Sequence, residues 1–187
     1  VGYGGSCFPK DVKALINTAR ENDYEPQLIA SVDEVNQRQK RRLGEKILNY
    51  FADQGGVAGK TLALWGLAFK ANTDDMREAS SLEIIAALTA QGMCVKAFDP
   101  VAAERGRELL ADNDAVTILD EQYAVLEGAD ALAVVTDWNQ FRNPDFNRIK
   151  KKLTAPLIFD GRNLYGADIL ASQGFAYFSI GRKPVMG

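Results

Sequence analysis

Apolar residues recur with two different spacings along this chain, and the change falls near residue 56. Between Pro9 and Asn22, the residues Val12, Leu15, Ile16 and Ala19 return at i, i+3, i+4 and i+7, the stripe of an amphipathic helix. Pro9 suits the first turn, where its missing N–H has no helical partner to lose, and Asp11 complements the dipole there. A second helix is predicted from Pro26 to about Asp53, with Leu28, Ile29, Val32, Val35, Leu43, Ile47 and Tyr50 as its apolar stripe. That is well above the usual three turns. Its middle, Asn36–Arg42, is strongly polar and reads either as a solvated face or as part of a long helix crossing a subunit interface.

Gln54-Gly55-Gly56 and Gly59 break the helical pattern. Short apolar runs follow at Thr61–Leu67, Cys94–Phe98, Ala115–Leu119, Ala129–Val135, Pro156–Asp160 and Phe175–Ser179. Between them lie helical stretches near Ser80–Gln91, Val101–Asp112, Glu121–Glu127, Asp145–Leu153 and Ala167–Gln173. Strands alternating with helices predict βαβ units, hence an α/β, Rossmann-like, doubly wound parallel sheet. The expected organisation is a helical segment over residues 1–56 followed by the sheet domain over 57–187. In such sheets ligands gather at the carboxyl ends of the strands.

Composition narrows the chemistry. The 187 residues carry 22 Lys+Arg against 25 Asp+Glu, a net charge of −3, which offers no electrostatic attraction for nucleic acid or an anionic membrane. No run is long and apolar enough to span a membrane. There is no histidine, so a Ser-His-Asp or Cys-His unit cannot come from this chain alone, and no cysteine spacing suggests a metal site. With only Cys7 and Cys94, a disulfide framework is not expected, and a reducing, cytoplasmic setting is the simpler reading.

Two loops carry candidate chemistry. After the first strand, the turn at Gly66 holds a single glycine, where a dinucleotide site wants GxGxxG. Asp99, closing the second strand, lies too far along to serve as the usual ribose-binding acid. What that loop offers is an aromatic beside a cation, Phe69-Lys70, and then Arg77, able to stack on a base and pair with phosphate; from these residues alone an ordinary solvated loop is favoured. The opening, Val1–Asp11, holds three glycines in four positions, then Cys7 just ahead of a helix start. The helix dipole and Lys10 favour a thiolate there, and Asp11 follows one turn on. A nucleophilic thiol with a nearby carboxylate, and a buried inert cysteine beside a helix-start acid, are both compatible with this spacing. Cys94, between Met93 and Val95, is expected to be buried and inert.

The segment Gly-Tyr-Gly-Gly-Ser-Cys-Phe-Pro-Lys-Asp-Val-Lys-Ala-Leu, residues 2–15, closely resembles the catalytic cysteine segment of the UDP-glucose 6-dehydrogenases. Val35–Lys40 resembles their central helix. Gly66–Lys70 through Asp75–Ser81 resembles their UDP-binding loop, and Phe159-Asp160-Gly161-Arg162-Asn163 a late substrate loop. Order and rough spacing agree over nearly the whole chain.

The resemblance implies a set of roles. Cys7 would hold the oxidised C6 of the sugar as a thiohemiacetal and then a thioester, and Asp11 would help activate the hydrolytic water. Val1, Gly2, Tyr3 and Gly4 would line the sugar nucleotide, Phe69 and Lys70 would contact UDP, and Arg162 would assist. Lys10 and Arg77 would touch NAD. Two oxidations of UDP-glucose would yield UDP-glucuronate, in a homodimer built on the long helix. An amino-terminal NAD-binding domain, with the lysine, asparagine and glutamate that the family's site takes from it, would precede Val1, and this piece alone would be inactive. Phe8 after the cysteine favours UDP-glucose over GDP-mannose, whose dehydrogenases usually carry Leu there, and the Ser-Cys-Phe-Pro-Lys run disfavours UDP-N-acetylmannosamine. A single residue shifts such discrimination only modestly. The competing expectation is a stand-alone nucleotide-binding and dimerisation module with an inert thiol.

Overall fold

The computed structural model describes residues 1–187 in full. In chain order the elements are α1 (Phe8–Glu21), α2 (Gln27–Ala52), β1 (Thr61–Trp65), α3 (Ser80–Thr89), β2 (Cys94–Phe98), α4 (Ala103–Leu109), β3 (Val116–Ile118), β4 (Ala131–Val134), α5 (Phe146–Lys152), β5 (Leu157–Asp160), α6 (Ala167–Ser172) and β6 (Ala176–Ser179), with one 3₁₀ turn at Asn139–Phe141. The six strands form one sheet in the order β3-β2-β1-β4-β5-β6, every pair parallel. The strand order reverses between β1 and β4, so the topological switch point lies at their carboxyl ends.

Strand β1 shows how this sequence builds two cores. Its side chains alternate across the sheet. Leu62 and Leu64 enter one buried cluster with Leu43, Ile47 and Phe51 of α2 and Ile84, Ile85 and Leu88 of α3. Ala63 and Trp65 enter the other, with Phe141, Ile149 of α5 and Leu170 of α6. A strand covered on both faces needs apolar residues at every position, which is why it reads as a continuous run.

Helix α2 does not present one seam. Its second half buries Leu43 and Ile47 completely against the sheet, while Leu28 and Val35 in its first half are 77% and 53% exposed. Nor is its polar middle simply solvated: Asn36 and Lys40, one turn apart on the same face, are both buried.

Two local expectations are corrected. Glu121–Glu127 forms no helix; it folds as successive i→i+3 turns, with Ala124 N–H donating to Glu121 and Glu127 N–H to Ala124. Val125 and Leu126 are nonetheless buried, and Gly128 ends the segment at φ 69°, so apolar spacing there reflects core anchoring without helical propagation. Cys94 is exposed, not buried. It is the first residue of β2, whose burial begins at Val95.

Gly66 is glycine for packing. At φ 99° a Cβ would stand 2.4 Å from the Cβ of Thr136 and 2.6 Å from its backbone nitrogen. The turn at Gly66 therefore packs directly on Thr136, in the chain that leaves β4.

Candidate active site

Cys7 is the N-cap of α1, and its carbonyl accepts the N–H of Asp11 at 2.9 Å. Pro9 sits in the first turn, where it disrupts no helical bond. The thiol is exposed, with the Ser6 hydroxyl 3.6 Å from the sulfur.

The residues before it form a strap across the body of the molecule. Val1 C=O accepts the Ser80 hydroxyl. Tyr3 is clamped at both backbone groups by the Asn36 amide: its N–H donates to Oδ1 at 2.8 Å and its C=O accepts from Nδ2 at 3.1 Å. Gly5 N–H donates to Arg77 C=O at 2.8 Å. The glycines allow this close approach. A Cβ at Gly4 would lie 2.5 Å from Glu78 O, and one at Gly5 (φ 87°) 2.8 Å from the Phe69 ring.

A cleft of about 740 Å³ opens beside the thiol, with Ser6, Cys7, Lys10, Lys13, Arg77 and Glu78 among its walls. Its cations are organised by carboxylates. Arg77 grips Asp75 with two bonds of 2.9 Å, and this hydrogen bonding holds Asp75 below the usual carboxylate range. Lys10 lies 3.5 Å from Asp11, both well exposed. Glu78 accepts Lys13 at 2.7 Å and Lys40 at 2.6 Å. Glu78 also adopts φ 54°, a left-handed conformation uncommon outside glycine.

The bonds from Lys13, then Lys40, pull the Glu78 carboxyl from 4.5 to about 2, against the opposing effect of burial. A folded-state value below the unfolded one means stability that is whole above pH 4.5 and lost as pH falls towards 2. The Glu78 side chain is 37% exposed, so solvent screening reduces the effect to about 1 kcal/mol. Urea titrations between pH 5 and 2 are expected to show that much less acid loss in Glu78→Gln than in the parent; equal slopes would show that the carboxylate is not stabilised in the fold.

The other sequence-derived positions disperse around this cleft. Cys7, Lys10 and Arg77 share it, whereas Asp11 lies outside its walls. Val1 is buried. Gly2 and Tyr3 line a different groove of about 500 Å³ along α2, with Leu28, Val32 and Val35. The Tyr3 ring meets Phe8 edge-on at 4.6 Å, and its buried hydroxyl makes no hydrogen bond. Burial and then the charge of Asp33 raise the Tyr3 phenol above its ordinary value. Phe69 is half-buried against Gly5, with the exposed Lys70 ammonium 5.3 Å from its ring centre. Arg162 donates to Phe69 O and Val135 O, each at 2.8 Å, tying the β1–α3 loop to the ends of β4 and β5. Burial draws its guanidinium below the ordinary value, against the raising effect of Asp137 and Asp160.

Sequence reasoning missed Asn36, Lys40 and Glu78 as parts of the site. The available signal was Asn36 and Lys40 at i, i+4 within a polar run on an otherwise amphipathic helix.

Residues 63–167 match the UDP-binding domain of the UDP-glucose/GDP-mannose dehydrogenase family, and residues 1–38 match that family's central domain. A UDP-glucose 6-dehydrogenase of Pseudomonas aeruginosa is 50% identical over 97% of this chain, which covers 40% of that protein. One of Rhizobium meliloti is 41% identical over the same share, again covering 40% of the relative. A UDP-glucose dehydrogenase structure from Pyrobaculum islandicum superposes with a TM-score of 0.78 at 30% identity, over 95% of this chain and 37% of that one. The chain thus spans about 40% of the length of the curated relatives it matches. A cysteine-capped helix, a strap folded onto a parallel α/β sheet, and a family match running through that sheet together place this chain in the UDP-glucose/GDP-mannose dehydrogenase family.

Proposed function

We propose that this chain is the thiol and UDP-binding part of an NAD-dependent UDP-glucose 6-dehydrogenase that oxidises UDP-glucose to UDP-glucuronate. The observation that carries the reading is the exposed Cys7 at the amino end of α1, in one cleft with Lys10 and Arg77. The C6 alcohol of UDP-glucose first loses a hydride and a proton to give the aldehyde, and the Cys7 sulfur adds to that carbonyl carbon to form a thiohemiacetal. Loss of a hydride and a proton from that adduct leaves a thioester. Water then adds to the thioester carbonyl, the C–S bond breaks, the sulfur departs as thiolate and C6 becomes the carboxylate. Asp11, on the first turn below the thiol and held only by an exposed pair with Lys10, is the carboxylate nearest in sequence to orient that water.

NAD, when bound, takes up the hydride in each oxidation. Lys10 and Arg77 present exposed donors on the cleft wall for its phosphates, while the single glycine at Gly66 lacks the dinucleotide fingerprint, so the main cradle is assigned, as the resemblance implies, to an amino-terminal domain of the whole enzyme. Phe69 and Lys70 hold UDP, and Arg162 ties their loop through Phe69 O to Val135 O at the end of β4. Of the strap residues Val1, Gly2, Tyr3 and Gly4 that the resemblance assigns to the sugar nucleotide, Gly2 and Gly4 offer the backbone, since Val1 C=O is taken by Ser80 and both Tyr3 groups by Asn36. On this reading residues 1–56 form the cysteine segment and dimer helix, residues 57–187 form the UDP domain, and the enzyme works in the cytoplasm, in keeping with two unpaired cysteines. No helix here is long and apolar enough to cross a membrane.

The test is turnover of the whole dehydrogenase with UDP-glucose, GDP-mannose and NAD. UDP-glucose is expected to reduce two NAD per molecule, and GDP-mannose to be the poorer substrate; the reverse order would reassign the sugar nucleotide. Lys70→Ala removes a charge-assisted contact of about 1.5–3 kcal/mol, so UDP-glucose affinity falls by at least about tenfold in calorimetry. Unchanged affinity would remove Lys70 from the site.

The same reading includes a homodimer. The exposed Leu28, Val32 and Val35 line a groove beside the strap on the first half of α2, whose Ala30, Asp33 and Gln37 are the residues that face α1. A second copy on this face would bury it. Val35→Asp is expected to shift sedimentation towards monomer without lowering the melting temperature; a dimer that survives would place the interface elsewhere.

A further inference from the structure

We infer that Glu78 is a positioning residue for the thiol: it locks the strap that carries Cys7 to both helices and to the β1–α3 loop. The inference rests on the enzymatic reading above and adds a residue to that site. Four observations converge. The Glu78 carboxylate bridges Lys13 of α1, the helix capped by Cys7, and Lys40 of α2. Lys40 is 1% exposed, so its ammonium has been withdrawn from water and faces this carboxylate. The Glu78 backbone is turned to φ 54°, which sets its carbonyl against Gly4 while the neighbouring Arg77 carbonyl receives Gly5 N–H. Asn36, one turn before Lys40 on the same face of α2, holds Tyr3 of the strap by both backbone groups.

These contacts have a consequence for the cleft. Cys7, at the end of the strap, and Arg77, in the β1–α3 loop, both line it. The only side chain that is ion-paired to both helices and belongs to the Arg77 loop is Glu78. Its removal leaves the thiol chemically intact and attached to α1, but lets α1 and the strap shift relative to the loop. Small displacements of a nucleophile from its attack distance cost rate more than they cost binding.

The experiment uses two variants, Glu78→Gln and the paired Lys40→Met/Glu78→Gln, which removes the buried charge together with its partner. In this 187-residue chain, hydrogen exchange of the Tyr3 and Gly5 amides reports whether the strap is held, and the amides of β1 report the fold. Glu78→Gln is expected to speed exchange of both strap amides at least about tenfold while β1 stays protected. In the whole enzyme kcat should fall at least about tenfold, with KM for UDP-glucose moving less than about threefold. The paired variant should regain the melting temperature but neither strap protection nor kcat. Recovery of all three would show that Glu78 only neutralises a buried lysine, and would overturn the inference. So would a Gly5 amide that stays protected in a folded Glu78→Gln chain. A parent enzyme inactive on UDP-glucose would sink the enzymatic reading while leaving the exchange result to stand or fall by itself.

Discussion

Alanine at Cys7 is expected to cut turnover of UDP-glucose in the whole dehydrogenase by at least about a thousandfold, with UDP-glucose affinity changed less than about threefold. On the proposed mechanism the covalent adduct lets the second oxidation and the hydrolysis proceed on one tethered carbon, and no other thiol stands at the cleft: Cys94 begins β2, at the edge of the parallel sheet opposite the strand carboxyl ends. Serine should do little better, because a hydroxyl needs a base to become nucleophilic and the chain has no histidine to supply one. Both thiols are exposed, so alkylation will not separate them by burial. It should separate them by ligand: UDP-glucose slows labelling of Cys7 and leaves Cys94 unaffected, which peptide mapping can resolve. A Cys7→Ala enzyme that turns over at the parent rate would remove the nucleophile from the mechanism, and the thioester with it.

The sheet was legible because its strands lie between two layers of helix. Positions such as Leu62-Ala63-Leu64-Trp65 must all be apolar, and that leaves an unmistakable run. What the pattern could not show was the partner of each face. Leu28 and Ile47 belong to the same stripe of α2, yet one is exposed and the other sealed against the sheet, because the sheet reaches only the second half of the helix. Polar residues misled for a related reason. Asn36 and Lys40 look like a solvated face until the strap and Glu78 are brought to them from distant parts of the chain. Only tertiary contact makes a buried lysine tolerable, and local periodicity carries no record of it. Of the site itself, the cysteine and its helix start could be read locally; the reaction came from resemblance, and the contacts of Asn36, Lys40 and Glu78 around the strap emerged only in three dimensions.

Asp99 gives the largest expected loss of stability. It closes β2, too far from Gly66 for the usual ribose-binding acid, and in the fold it is 1% exposed and accepts five N–H groups. Oδ2 takes Leu67 N at 2.7 Å, Ala68 N at 3.1 Å and the Trp138 indole at 3.1 Å. Oδ1 takes Val101 N at 3.0 Å and Ala102 N at 2.8 Å. Three loops at the carboxyl edge of the sheet, those after β1, β2 and β4, are thereby fastened to one carboxylate, much as Asp160 at the end of β5 gathers Arg162 N, Leu164 N and the Tyr177 hydroxyl. Removing the acceptor leaves five donors, each costing about 1 kcal/mol or more when buried and unmet. Asp99→Ala is therefore expected to lose at least about 4 kcal/mol in urea unfolding, a large part of what a domain of this size possesses. Asp99→Asn keeps one oxygen but turns an NH₂ towards two of the donors, so it should recover less than half of that loss. A deficit below about 1 kcal/mol for alanine would mean that water or a relaxed loop replaces the carboxylate. The consequence for function follows from sequence order: Ala68, held by Asp99, immediately precedes Phe69, whose ring packs on Gly5 of the strap. Where Asp99→Ala still folds, the β1–α3 loop loses its anchor, and UDP-glucose affinity should fall together with stability, unlike in Cys7→Ala.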